Sequence, residues 1–136
     1  MITEAYIKGR CDFGVGKYAV VIVEKGEIVH QVAYKVGGEF TFNGRTYKAD
    51  QYNCEIVAAC YACDWCKRTA RELLNIYANT NTCQKWYYRR EFPDGRELGM
   101  VFSEYADGLQ VYADFIAKNS DNEFNVLVNR LAEECK

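Results

Sequence analysis

The chain has 136 residues, a single proline, and 49% hydrophobic and 15% aromatic residues, a composition that favours one folded domain over a disordered chain. A formal net charge of −2 excludes a basic surface spread over the whole molecule, so any contact with nucleic acid must depend on a local patch. Apolar runs are shorter than the roughly 18 residues of a membrane helix and no signal-peptide pattern is visible, so we expect one cytoplasmic domain over 1–136 with no membrane contact.

The first half of the chain changes from strand-like to helical character. Segments rich in Val, Ile, Tyr and Ala predict an antiparallel meander at 4–9, 17–24 and 27–36. Several glycines in the stretch 37–50 predict a loop or an extended hairpin. The period then becomes helical, which predicts a long amphipathic helix from 49 to 71. His30 shares a face of the third strand with apolar residues, so we expect it to be structural.

The second half predicts a crossover and a closing helix. Leu73 to Ala78 is an apolar run that predicts a buried strand parallel to the first. A helical region at 80–107, interrupted by Pro93-Asp94-Gly95, precedes a strand at 109–118. A capping-box pattern of Ser120 and Glu123 opens the last helix. The order β-β-β-α-β-α-α-β-α predicts an α/β fold, with a mixed five-stranded sheet and helices on both faces.

Seven cysteines without a secretory signal predict reduced thiols. Four lie in the long helical stretch, namely Cys54, Cys60, Cys63 and Cys66. The C-x-x-C spacing of the last two leaves a zinc or redox site as one interpretation. Zinc sites usually draw ligands from more than one segment, and His30 is the sole histidine, so we favour cysteine as a small apolar residue that packs on the sheet.

Four short stretches stand in a fixed order along nearly the whole chain. They are Tyr6-Ile7-Lys8-Gly9-Arg10, the helix start from Gln51 to Ala59, the strand end Ile76-Tyr77-Ala78-Asn79 with Trp86 seven residues on, and Asn119-Ser120 followed by 124–132. Together with the element order, these stretches resemble the ribonuclease H family, most closely its bacterial and phage branch. The resemblance implies the ribonuclease H fold.

The resemblance also implies a cluster of carboxylates that binds two magnesium ions for phosphodiester hydrolysis. Position by position, that cluster falls on Lys8, Glu55, Asn79 and Asn129, and the histidine of the family's closing loop falls at Asn119. Only Glu55 is a carboxylate, and hard cations need anionic oxygen ligands. We therefore expect no catalytic residue, no metal ligand and no magnesium cofactor. Lys8 is expected to neutralise Glu55, with the asparagines completing a polar plug.

A shifted register would allow other acids to serve as ligands. Asp12 follows the first strand, and Asp121 and Glu123 precede the last helix. Loop carboxylates displaced by several residues would point elsewhere, so this alternative is the weaker one. An active nuclease with rearranged ligands is accordingly the least favoured function.

One dense run of cations and aromatic residues stands out, Lys85-Trp86-Tyr87-Tyr88-Arg89-Arg90. It falls where some family members carry a basic region that grips the duplex, and cations with stacking rings suit nucleic acid. The family also contacts 2′-hydroxyls near the start of the long helix. The candidate binding residues are Lys85, Trp86, Arg89, Arg90, Gln51 and Asn53. A solvated helix face flanked by acids is the alternative.

Two classes of function fit these features. The first is an inactive ribonuclease H-like domain that binds RNA or an RNA–DNA hybrid. The second is a scaffold of the same fold that binds a protein partner, which the acidic balance favours. The sequence does not identify the partner or the oligomeric state.

Overall fold

The computed structural model describes residues 1–88 and 98–135, apart from the side chains of residues 86–88. Arg89, Arg90 and the expected Pro93-Asp94-Gly95 turn lie outside the described residues, as does the side chain of Trp86.

The described residues form seven strands and four helices. The strands are β1 (Thr3–Asp12), β2 (Val15–Glu24), β3 (Glu27–Gly37), β4 (Glu39–Phe42), β5 (Arg45–Lys48), β6 (Leu73–Ala78) and β7 (Gln110–Phe115). The helices are α1 (Gln51–Arg68), α2 (Thr82–Tyr88), α3 (Leu98–Ala106) and α4 (Glu123–Glu134).

The main sheet has the strand order β3-β2-β1-β6-β7, which confirms the expected mixed five-stranded sheet. The meander β1-β2-β3 is antiparallel, whereas β1, β6 and β7 run parallel to one another. Of the two alternatives for 37–50, the extended hairpin is confirmed, because β4 and β5 pair as a separate small sheet.

Alternation along the strands divides the core between the two sheet faces. On β1, Ala5 and Ile7 point to the face covered by α1 and α3, while Tyr6 points to the face covered by α4. Val128 and Ala132 of α4 are buried on that second face. Helices therefore cover both faces of the sheet, as the sequence predicted.

Helix α1 lies very close to β1 because a glycine stands at the contact. A Cβ built on Gly9 would lie 2.2 Å from the Gln51 carbonyl oxygen and 2.3 Å from the Glu55 nitrogen. Atoms at such distances overlap, so only glycine allows this approach. Asp50 caps the helix by accepting from the Asn53 amide at 2.7 Å. The first turn of α1 is thereby fixed beside the end of β1.

Two predicted boundaries need correction. The last helix is capped by Asn122, whose side chain accepts hydrogen bonds from the amides of Phe124 and Asn125. The Ser120 hydroxyl accepts from the Asn122 amide, which lies before the helix. The capping-box assignment to Ser120 was therefore wrong by two residues, because an asparagine caps as well as a serine. Strand β7 also ends at Phe115, before the predicted 118, because Ile116 and Ala117 begin the loop.

The cysteines of α1 lie in the core. Cys54, Cys60, Cys63 and Cys66 are buried and unbridged. Burial raises the pKa of each of these thiols, to about 12 for Cys54 and Cys63. They are therefore neutral at physiological pH and pack as small apolar groups. Among the described helices, none is long and apolar enough to cross a membrane.

Candidate functional site

The candidate site lies where the parallel strands β1, β6 and β7 end. Lys8 lies on β1 just beyond Tyr6, where the parallel pairing of β1 with β6 ends. Asn79 directly follows β6, and Phe115 ends β7. Carboxyl ends of parallel strands share one edge of a sheet, which is where α/β folds commonly place ligands. Glu55 reaches the same edge because Gly9 brings the first turn of α1 against β1.

Lys8 is a half-buried cation with a weak partner. Its Nζ donates to Asn79 Oδ1 at 3.3 Å, and within the described residues it forms no ion pair with a carboxylate. Burial lowers the pKa of Lys8, repulsion from Lys118 and Arg10 lowers it further, and attraction to Glu55 opposes the change. The expected Lys8–Glu55 pairing is thus an attraction across the site, without a direct ion pair.

Glu55 is only 2% exposed and accepts a hydrogen bond from the Thr80 hydroxyl at 2.6 Å. Burial raises the pKa of its carboxyl group to about 7, although Thr80 and Lys8 both oppose the shift. A carboxyl with that pKa is charged for only part of the time at neutral pH. It is therefore a weak counter-charge for Lys8.

Three asparagines form a neutral network behind Lys8. The Asn79 amide group donates to Asn125 Oδ1 at 2.9 Å and to the Ile116 carbonyl at 3.0 Å. Asn129 donates to the Asn125 carbonyl oxygen at 2.9 Å, while its own Oδ1 is buried and has no hydrogen-bond partner in the described part of the chain. Carboxamides thus link the end of β6 to α4 without charge.

Asn125 is the site residue that the sequence interpretation missed. It is buried, and its Nδ2 contacts the carbonyl oxygens of Ala117, Lys118 and Ser120, each at 3.2 Å. Its position one helical turn before Asn129 was the available signal. This one side chain fixes the loop between β7 and α4.

The neighbouring acids do not join the cluster. The Asp12 carboxylate pairs with Arg10, which holds its pKa below the ordinary value. Asp121 and Glu123 are exposed residues at the start of α4, and Asn119 is exposed in the loop. Within residues 1–88 and 98–135, no three His, Cys, Asp or Glu side chains are grouped so that they could hold a metal ion.

The candidate binding residues lie in different settings. Gln51 is exposed in the first turn of α1, whereas the buried Asn53 donates from Nδ2 to the Lys48 carbonyl at 2.8 Å, a contact that supports the helix start. Lys85 is partly buried in α2. The structure thus gives Asn53 a structural contact and leaves Gln51 facing outwards.

A groove of about 480 Å³ adjoins the cluster through Thr80. Two exposed rings stand on it, since Tyr52 of α1 is 42% exposed and Phe115 is 56% exposed. Asn81 and Gln84 supply carboxamides between α2 and the end of β6. Rings beside hydrogen-bonding groups are suited to bases and sugars.

Solved structures with this architecture come from known ribonucleases H. The chain is similar to ribonuclease H1 from the halophilic archaeon Halobacterium salinarum, with 15% identity, a TM-score of 0.76, and 98% of this chain and 96% of that one covered. An N-terminal ribonuclease H domain from Mycobacterium tuberculosis gives 11% identity and a TM-score of 0.76, with 98% and 91% covered. LC11 ribonuclease H1, solved in complex with an RNA/DNA hybrid, gives 14% identity and a TM-score of 0.74, with 98% and 95% covered.

No family model and no curated protein matches the sequence. The structural similarities extend over nearly the full length of each chain at low identity, so they establish a common fold. The chain has the ribonuclease H fold, as the four sequence stretches indicated.

Proposed function

We propose that this protein is a cytoplasmic nucleic-acid-binding domain that recognises RNA or an RNA–DNA hybrid and does not hydrolyse it. The observation that carries the proposal is the composition of the cluster at the strand ends. The resemblance to ribonucleases H aligns Lys8, Asn79 and Asn129 with metal-binding carboxylates of that family, and Glu55 is the one acid among the four aligned positions.

The donor set does not fit a pair of magnesium ions. Magnesium requires several anionic or neutral oxygens around each ion. The cluster offers the Glu55 carboxyl, whose pKa is about 7, and the orphaned Oδ1 of Asn129, beside the ammonium of Lys8. A cation brought to this point would be repelled by Lys8 and held by a single acid. We therefore propose that the two-metal reaction has been lost.

Three features support binding. The groove beside Thr80 presents Tyr52 and Phe115 to solvent. Lys85 begins the basic and aromatic run that continues to Arg90. A chain of the same fold, LC11 ribonuclease H1, has been solved with an RNA/DNA hybrid.

The test uses one labelled RNA–DNA hybrid for both binding and cleavage. The natural protein should bind the hybrid with an affinity that falls as salt rises, and should leave it intact with Mg²⁺ or Mn²⁺. A triple variant, Lys8→Asp, Asn79→Asp, Asn129→Asp, should gain metal-dependent cleavage if the positions correspond. Cleavage by the natural protein would overturn the loss of hydrolysis, and absence of binding at low salt would overturn the binding function.

A second pair of variants tests the basic run. Arg89→Glu with Arg90→Glu should weaken binding to the hybrid and reduce its salt dependence, because two phosphate contacts are lost. Arg45→Glu with Arg130→Glu makes the same charge change at residues that are distant from this run in the sequence. Equal binding by both double variants would remove the run from the interface.

A protein-interaction scaffold is the second candidate function, and one observation favours it. Strand β3 is an edge of the main sheet, and its Ile28, Val29 and Tyr34 are each nearly half exposed. Exposed apolar edge strands are a common surface for pairing with another chain. This candidate predicts that Val29→Lys abolishes binding of the protein partner. It also predicts that neither the natural protein nor the variant binds nucleic acid.

A further inference from the structure

Lys8 carries a charge that the described structure does not neutralise. A half-buried ammonium normally has a carboxylate or several acceptors, because removing a charge from water is costly without compensation. Lys8 has one hydrogen bond, to a neutral carboxamide oxygen at 3.3 Å. An ammonium has three donor hydrogens, so most of its hydrogen-bonding capacity is unused by the described side chains.

The groups around Lys8 add positive charge. Lys118 from the loop before α4 and Arg10 from β1 both repel the Lys8 ammonium. Arg10 is compensated by Asp12, with Glu133 of α4 also near Arg10. Lys118 is exposed, and Asp12 attracts it too, but it has no ion pair among the described residues. Glu55 is the acid on the other side of Lys8. Its pKa of about 7 means that its carboxyl group is protonated for part of the time near neutral pH.

The position of Lys118 is fixed by the buried network. Asn125 donates to the carbonyl oxygen of Lys118 and to those of Ala117 and Ser120 in the same loop. Asn125 is itself bound by Asn79, whose Oδ1 accepts from Lys8. A continuous path of hydrogen bonds therefore joins the Lys8 side chain to the backbone that carries Lys118.

We propose that Lys8 and Lys118 form a phosphate-binding site, in which two ammonium groups hold one phosphodiester group of the bound strand at the place that a metal ion serves in ribonucleases H. This inference deepens the proposed function and depends on it for the identity of the ligand. A phosphodiester oxygen accepts the unused hydrogens of Lys8, and its negative charge relieves the repulsion between the two lysines. The contact is binding alone, and no bond in the phosphate is broken.

The experiment compares single charge removals in a salt titration with the RNA–DNA hybrid. Lys8→Gln and Lys118→Gln should each weaken binding several-fold, and the two changes together should reduce the slope of log affinity against log salt by roughly 0.9, which corresponds to the one shared phosphate contact. Lys67→Gln is the matched control, because it removes the same charge from an exposed position in the last turn of α1, at the opposite end of that helix. Lys8→Arg should retain most of the affinity, since it keeps the charge.

A second measurement does not need nucleic acid. In protein labelled at the lysine Cε carbons, inorganic phosphate should shift the Lys8 and Lys118 signals more than sodium chloride at equal ionic strength, and should leave the Lys67 signal in place. Lys118 is exposed, so its replacement leaves the fold intact even if Lys8→Gln alters packing.

The outcomes separate the two proposals. If the hybrid binds and Lys8→Gln and Lys118→Gln behave like Lys67→Gln, the phosphate site is overturned and the binding function stands. If the hybrid does not bind but inorganic phosphate shifts both lysine signals, the site stands and the nucleic-acid function fails. Absence of both responses overturns both.

Discussion

The two ends of the central sheet differ in how their buried charges are paired. At the end where β1 and β6 begin, Glu24 is buried and receives Arg71 through two hydrogen bonds, of 3.0 and 2.9 Å, and the Thr3 hydroxyl through one of 2.7 Å. The Arg71 guanidinium also lies 5.1 Å from the centre of the Trp65 ring. At the other end, Lys8 has a single neutral acceptor, two cations as neighbours, and one acid, Glu55, with which it forms no direct ion pair among the described residues.

This contrast separates a structural charge from a charge available to a ligand. The Glu24 carboxylate already accepts three hydrogen bonds from the protein and faces a guanidinium, so little is gained by bringing another group to it. Lys8 lies at the carboxyl ends of parallel strands and is left with unused donors. The cation without an ion pair, Lys8, identifies the end of the sheet that we expect to bind an anion, and the Glu24–Arg71 ion pair does not.

The largest expected effect is on the stability of the fold, and it comes from forcing α1 away from β1 at Gly9. Gly9→Ala places a Cβ 2.2 Å from the Gln51 carbonyl oxygen and should destabilise the fold by more than about 3 kcal/mol, because backbone atoms on both elements must move. Gly38→Ala is the matched control, since its nearest atom would be the Gly14 carbonyl oxygen at 3.4 Å. Urea unfolding measures both. A Gly9→Ala variant as stable as Gly38→Ala would contradict the close approach that delivers Glu55 to the site.

The next effect concerns pH, and its sign differs between the two ends. Burial raises the pKa of Glu55 from 4.5 to about 7, so the folded state binds a proton that the unfolded state has released, and stability falls as pH rises from 4.5 through 7. Arg71 lowers the pKa of Glu24, so the stability from that end is present above 4.5 and is lost as pH falls.

Glu55→Gln should therefore remove the loss of stability between pH 4.5 and 8. At pH 8 the variant should be more stable than the natural protein by about 3.5 kcal/mol, since the pKa rises from 4.5 to about 7 and each pKa unit is worth about 1.4 kcal/mol. The groups that interact with Glu55 are Lys8 of β1, Thr80 in the loop after β6, and Cys83 of α2. Burial raises the pKa of Cys83 well above this window, so Cys83 stays neutral throughout it. Denaturant unfolding across pH measures the effect. Parallel stability curves for the two proteins would mean that Glu55 is charged in the fold.

The sequence predicted the main sheet because its strands and helices have clear and different periods. The meander, the β6 crossover and the helices on both faces follow from alternating or helical spacing of apolar residues. The position of Lys8 on β1, next to Gly9, also followed from the local pattern. These features depend on short stretches of chain, where local preferences are informative.

The contacts within the site could not be predicted, because they depend on distances between distant segments. Asn79 and Asn125 are 46 residues apart and meet only when α4 closes over the sheet. The sequence assigned the Glu55 carboxyl to Lys8, but its hydrogen bond comes from the hydroxyl of Thr80, two residues beyond β6, at 2.6 Å. The residue types indicated that acids are missing from the site. They did not indicate which polar group would hydrogen-bond to each remaining side chain.

The smallest expected effect is also the most direct comparison of the two ends. A double-mutant cycle on Glu24→Gln and Arg71→Met should give a coupling of about 1 to 2 kcal/mol, reduced from that of a fully buried pair because the Arg71 side chain is 35% exposed. Lys8→Met at the other end should cost less than about 0.5 kcal/mol or should stabilise the fold, since it removes an uncompensated charge. Chemical unfolding at pH 7 measures all four variants. If Lys8→Met were as costly as breaking the Glu24–Arg71 pair, Lys8 would have a partner inside the fold, and its charge would not be free for a phosphate.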